Sequence, residues 1–372
     1  MKKLIILLSL FTVLLSACGQ QQNKEEQELR NKIAQMLLVG FRGTELTQDN
    51  HIYNDIKELK IGGVILFEYD APTKTRPRNI TSEAQVAKLV SDMQAIAETK
   101  LLISIDQEGG KVNRLKEQYG FPPTVSAQYL GEVNNPDTTM LWADRTAELL
   151  GRMGINLNFA PSVDINVNPE NPVIGKIERS FSNDPIVVTD NARIWVVEHK
   201  KCNIISSLKH FPGHGSSKTD THLGLTDVTD TWTEDELIPY KTLISEGVCD
   251  MVMTSHVFNS KLDPDYPATM SKTILSGILR DKLGYTGVIV TDDMAMGAIV
   301  DHYSFEDALE KTVNAGADIL ILSNNGKDYD PEVAKKAIDI IYKLVNDGKI
   351  QKQTIEDAYN RIIALKKSYN IL

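Results

Sequence analysis

Gly287-Val288-Ile289-Val290-Thr291-Asp292-Asp293-Met294 holds the unit that decides the fold. A short β-branched run follows a glycine and stops at two carboxylates, and it is apolar on both faces, as a strand covered by helices on each side requires. Working outward, comparable runs lie at Met36 to Phe41, Gly63 to Phe67, Leu101 to Ile105, Ile155 to Val163, Ile204 to Lys209, Asp250 to Thr254 and Ala317 to Leu322, of which Ile155 to Val163 is the least regular. Helical patterns separate them. Thr233-Glu234-Asp235-Glu236 reads as a capping box ahead of Leu237, Tyr240, Leu243 and Ile244, with Gly247 as the stop. Ser271 opens a helix with Leu275, Ile278, Leu279 and Leu283 on one face and Gly284 after it; Ser304 with Asp307 opens another that ends near Gly316.

This alternation predicts one α/β domain over residues 29–372, a (β/α)8 barrel, with a doubly wound open sheet as the alternative. In a closed parallel barrel the C-terminal ends of all strands meet at one rim, so polar residues there share a cavity however far apart they lie in sequence. Here those ends read Asp106-Gln107-Glu108-Gly109-Gly110, then Asp164, Lys209-His210, Ser255-His256 and Asp292-Asp293.

The beginning of the chain carries a different message. Lys2 and Lys3 precede an apolar run from Leu4 to Leu15, then Leu15-Ser16-Ala17-Cys18-Gly19, the order of a secretory signal too short to span a bilayer comfortably. A cysteine directly after such a pattern looks like a bacterial lipobox. The expectation is a signal peptide at residues 1–17, acylation at Cys18, a flexible tether at residues 18–28 without apolar residues, and a domain held at the outer face of the cell membrane. An ordinary secretory peptide or an uncleaved anchor is the alternative.

A formal net charge of -10 argues against nucleic acid, which needs clustered Lys and Arg. Besides Cys18 there are only Cys202 and Cys249, too few for a disulfide framework and without metal-ligand spacing; two free thiols are expected, with a bridge as the alternative. The densest chemistry lies in Lys209-His210-Phe211-Pro212-Gly213-His214-Gly215, continuing through Ser216 to Asp220-Thr221-His222. Two glycines and a proline mark it as an irregular loop after a strand, and three of the chain's seven histidines fall within it, more than core packing explains.

At this segment the sequence resembles glycoside hydrolase family 3, in particular its β-N-acetylhexosaminidase branch. The resemblance extends to Ile105-Asp106-Gln107-Glu108-Gly109-Gly110, Ala160-Pro161 with Asp164, Asn171-Pro172-Val173-Ile174-Gly175 followed by Arg179-Ser180-Phe181, and Gly287 to Met294. It implies an exo-acting, retaining glycosidase for terminal β-linked N-acetylglucosamine, with no cofactor and no metal. Asp292 would be the nucleophile, with Asp293 as rival. His222, oriented by Asp220, would serve as acid/base; otherwise Asp220 merely turns the loop. An imidazole suits that role because it titrates near neutral pH and a carboxylate partner fixes its tautomer. Asp106, Arg114, Arg179, Lys209 and His210 would hold the sugar. The spacing from Gly175 to Arg179 is longer than is usual in the family, and Lys111 stands where arginine is common. Envelope location suggests peptidoglycan fragments as substrate, and a monomer is expected. The competing readings are a family 3 β-glucosidase, a phosphorolytic variant, a metal-dependent hydrolase using His210, His214, Asp220, His222 and His256, and a glycan-binding lipoprotein without catalysis.

Overall fold

The structure, a computed structural model, describes residue 21 and residues 23–372. The signal segment and Cys18 lie outside the described residues. Among the described residues no helix is long and apolar enough to cross a membrane.

Eight parallel strands form one sheet in sequence order: β1 (Leu37–Gly40), β2 (Gly63–Ile65), β3 (Leu102–Ile105), β4 (Leu157–Asn158), β5 (Ile205–Phe211), β6 (Met251–Thr254), β7 (Val288–Val290) and β8 (Leu320–Leu322). β8 pairs with β1, Leu37 opposite Leu320. A parallel bridge between Val290 and Ile319, with both Asp318 N–H and Ile319 N–H donating to Ile289 O, joins β8 to β7. The ring is therefore closed, as expected of the barrel rather than the open sheet. Each of the eight expected runs supplies one strand. The residues of all eight are buried on both faces by the strand neighbours, the lumen and an outer ring of helices.

Strand β4, the irregular run, is only two residues long because a side chain takes over its ladder. Asn158 accepts from Gln107 N–H (3.0 Å) and donates to Gln107 O (3.0 Å), which substitutes a side-chain amide for the next backbone pair. At β5 the register slips: Leu208 faces Val252, but Phe211 faces Thr254, one residue too many on β5. A bulge of this kind re-aims neighbouring side chains. It lets Lys209 and His210, adjacent in sequence, both turn towards buried carboxylates.

Two expectations fail in instructive ways. Residues 23–28 are helical and continue without a break to residue 35, so this part is not a flexible tether. Leu29 and Ile33 anchor the helix in the core, and the polar stretch is carried outward by pairs one turn apart, Glu26 with Arg30 and Glu28 with Lys32. The Thr233–Glu236 segment does start a helix, but not as a capping box. Thr233 makes no side-chain cap, the first turn (Glu234–Leu237) is tight, and Glu236 turns inward instead of back. The helix opened by Ser271 is present, its hydroxyl accepting Ile274 N–H, though its turns are wide enough for Leu283 N–H to reach Ile278 O five residues back. The helix Phe305–Ala315 ends as expected on Gly316, whose φ of 109° a side chain would strain. Cys202 and Cys249 are both free thiols.

Candidate active site

The rim collects one charge network at its floor. Lys209 Nζ, almost wholly buried, lies 2.9 Å from Asp106 and 2.6 Å from Glu108. Arg179 clamps Glu108 with two bonds (2.9 and 2.7 Å), donates to Val173 O and reaches His210 Nε2 at 3.1 Å. Because a guanidinium only donates, His210 Nε2 accepts there, and its Nδ1–H is the donor to Asp164 at 2.6 Å. Asp164, fully buried, also accepts Ser162 O–H and the backbone N–H of His210 and His214. Burial pushes the carboxyl of Asp106 up, but Lys209 and Arg114 outweigh it; for Glu108, Arg179 and Lys209 do the same and hold it far below the usual carboxylate range. Buried charges of this kind persist only when paired.

Asp292 and Asp293 follow β7 directly and divide their tasks. The Asp293 carboxylate is engaged by Ser323 through both hydroxyl and N–H and by Ala295 N–H. Its carbonyl receives His256 Nε2 at 2.9 Å. Among the described residues the side chain of Asp292 accepts only from Asp293 N–H (2.8 Å) and otherwise faces the cavity. Burial alone would raise its pKa; the neighbouring imidazoles of His256, His210 and His222 and the bond from Asp293 N–H reverse that and keep it below the ordinary value. A free, ionised carboxylate suits a nucleophile, and a fully bonded one does not.

The loop after β5 splits into a pinned base and a projecting tip. At the base, Pro212 O accepts Trp232 Nε1–H, Asn171 donates to His214 O, and Gly215 N–H donates to Glu236 Oε2 (3.0 Å). Gly213 is required because a Cβ there would fall 2.6 Å from the Glu236 side chain. Burial, joined by the charge of Asp164, raises the Glu236 pKa to about 8, so it sits in the loop's base as a neutral acid at pH 7. At the tip, Asp220 Oδ1 accepts both the N–H of His222 (2.8 Å) and its Nδ1–H (2.7 Å). That fixes the tautomer and leaves Nε2 free. Burial would lower the His222 pKa; the bond to Asp220 and the charge of Asp292 more than compensate, so it rises above the ordinary imidazole value.

Asp292 and His222 line one cavity of about 380 Å³, a size that admits a small ligand. Asp106 and Arg114 line it too, with Glu68, Phe67, Tyr69, Arg76, Met253, Met296, Ser323 and Asn325 among its other walls. Arg179, Lys209 and His210 do not line this cavity. They stand behind it, their donors turned to Glu108, Asp106 and Asp164. Asp220 is likewise behind His222.

This constellation has a match in known sequences: the profile of the glycosyl hydrolase family 3 N terminal domain covers residues 28–365. The chain belongs to this family. A β-hexosaminidase A of Pseudoalteromonas piscicida is 36% identical over 294 residues, 72% of this chain and 46% of that protein. A β-hexosaminidase of Nitrosomonas eutropha is 31% identical over 79% of this chain and 82% of its own length. Among solved structures, a glycoside hydrolase family 3 β-N-acetylglucosaminidase from Paenibacillus sp. FPU-7 superposes with a TM-score of 0.81 at 35% identity, covering 92% of this chain and 62% of that one. The chain thus spans about half of the first relative and less than two thirds of that solved chain.

Within the family 3 barrel, the histidines weighed as metal ligands have other partners. His214 Nδ1 meets Ser217 and its Nε2 meets Thr221; His256 meets Thr269 and Asp293 O. Among the described residues no group of three or more His, Cys, Asp or Glu is arranged to hold a metal ion. Sequence reasoning missed Glu68, Glu108 and Glu236 as site residues. Glu108 was visible as the second acid in Asp106-Gln107-Glu108. Glu236 was hidden by its resemblance to a cap.

Proposed function

We propose that the chain is an exo-acting, retaining β-N-acetylhexosaminidase that removes terminal β-linked N-acetylglucosamine, with Asp292 as nucleophile and the Asp220–His222 pair as acid/base. The observation that carries this reading is a free carboxylate and a tautomer-fixed imidazole on the wall of one pocket. Asp292 attacks the anomeric carbon while protonated His222 gives its Nε2 proton to the departing oxygen. The neutral imidazole then takes a proton from the water that releases the sugar, so one group serves both half-reactions. Asp106 and Arg114 reach the sugar directly; Lys209, His210 and Arg179 fix the floor against which its hydroxyls bind.

The relatives named β-hexosaminidases and β-N-acetylglucosaminidase support the sugar specificity. The Leu15-Ser16-Ala17-Cys18 pattern supports a lipid-anchored protein on the outer face of the membrane, and that location favours peptidoglycan fragments as substrate. Release of nitrophenol from nitrophenyl β-N-acetylglucosaminide and from the β-glucoside tests the reading. Turnover of the first alone is expected. Turnover of the glucoside alone would discard the branch, and turnover of neither would bring forward the glycan-binding lipoprotein. A phosphorolytic variant is a second reading, favoured by the histidine, because an imidazole does not repel incoming phosphate as a carboxylate would. Phosphate-dependent release of sugar phosphate would establish it.

A further inference from the structure

His222 is an exposed side chain on an exposed tip, yet it lines the cavity with Asp292. Three bonds account for that position. Thr221 Oγ1 lies 3.2 Å from His214 Nε2. Ser217 donates its hydroxyl hydrogen to His214 O, so His214 Nδ1–H donates to Ser217 and Nε2 must accept from Thr221. Ala298 N–H donates to Thr221 O at 3.1 Å, and Gly297 N–H points at His222 O at 3.4 Å. Both amides belong to the short helix Gly297–Val300, which starts a few residues beyond Asp292 on the same segment. The carrier of the proton is therefore fastened to the stretch of chain that carries the nucleophile.

Gly297 is what lets the two stretches come so close. A Cβ at this position would sit 2.8 Å from His222 O, 3.3 Å from Gly224 N and 3.3 Å from Oδ2 of Asp301, an exposed side chain. Its own φ is not positive, so alanine there is free of backbone strain and favours the helix. The tightest contact a methyl group makes is with the loop backbone, which cannot turn aside as the Asp301 side chain can.

We infer that the amides of Gly297 and Ala298, with the Thr221 hydroxyl on neutral His214, form a latch that holds His222 over Asp292, and that Gly297 is a positioning residue for the acid/base. The inference rests on the proposed role of His222. A loop latch acts only on steps that need the proton, so its signature is dependence on the leaving group.

The test compares kcat/KM of wild type, Gly297→Ala, Thr221→Val and His222→Ala on dinitrophenyl β-N-acetylglucosaminide, whose leaving group needs no acid, and on N,N′-diacetylchitobiose, whose leaving group does. General acid assistance contributes roughly 100-fold or more. His222→Ala is expected to lose about that on the disaccharide and little on the activated substrate. Gly297→Ala and Thr221→Val are expected to follow the same pattern at about tenfold, with melting temperatures near wild type. Equal losses on both substrates, or no loss in either latch variant, would overturn the latch while leaving His222 in place. If His222→Ala itself shows no leaving-group dependence, the acid/base assignment falls and the latch with it.

Discussion

The floor of the pocket and the tip of the loop above it are built from the same materials, carboxylates paired with basic groups, in opposite surroundings. On the floor, Asp106, Glu108, Asp164, Lys209, His210 and Arg179 are buried or nearly so and bond one another from several sides. At the tip, Asp220 and His222 share one pair, the imidazole is 62% exposed, and Leu223 beside it is 83% exposed. Groups that must recognise a fixed shape are locked in place by a network that tolerates no missing partner. A group that must exchange protons with leaving group and water stays near solvent, where its pKa remains close to the working range.

The largest expected effect lies between the two regions, at Asp292. Asp292→Asn should lower kcat on the nitrophenyl substrate by at least about 10⁴-fold with little change in melting temperature, as loss of a nucleophile does. Asp293→Asn should do the reverse, lowering the melting temperature because it disrupts the bonds to Ser323 and Ala295. If Asp293→Asn abolished activity in an intact fold while Asp292→Asn retained it, the assignment of the two would have to be exchanged.

Breaking the floor should show in stability. Arg179→Met leaves Glu108 and Asp164 with a buried cation fewer, and truncating one partner of a buried pair costs about 3–5 kcal/mol. Urea unfolding should show that loss. A midpoint equal to wild type would mean that the network is not stabilising and that Arg179 serves the substrate alone.

Breaking the tip should instead show in the pH profile. The lowered pKa of Asp292 places the acid limb of kcat/KM below the ordinary carboxylate range, since the nucleophile must be ionised. The raised pKa of His222 places the alkaline limb above the ordinary imidazole value, since the acid must be protonated and is lost as pH rises through it. His222→Ala should remove the alkaline limb and leave the acid one. Survival of that limb in the variant would assign it to another group.

What was legible in the sequence follows the same division. The eight strands could be read because an apolar run covered on both faces has few other uses, and only Leu157–Asn158 was blurred, where a side chain completes the ladder. Asp292 and His222 were legible because strand ends and an irregular loop expose them. The partners of Lys209, His210 and Arg179 were not, since ladder position does not say whether a cation faces substrate or another buried carboxylate, and a one-residue bulge in β5 settled it. The polar stretch 23–28 looked like a tether because nothing in it is apolar; it is helical because Leu29 and Ile33 anchor the residues that follow. Local composition could not see that anchor.

Glu236 offers the smallest and most diagnostic effect, because it joins the two regions by holding the base of the loop. Its pKa is about 8 in the folded protein and 4.5 in an ordinary setting, so the folded state binds the proton more tightly than the unfolded chain. The stability contributed by that proton is complete below about pH 4.5 and is lost as pH rises through the folded value. Between these limits the wild type should weaken steadily as pH rises. Glu236→Gln keeps an acceptor for Gly215 N–H and cannot ionise. Melting temperatures across pH 5–9, a span chosen to cover roughly both limits, should therefore fall less for the variant than for the wild type, with the two nearly equal at the acid end. Parallel curves would mean that Glu236 is ionised throughout, and the base of the loop would then be held by a charge, like the floor.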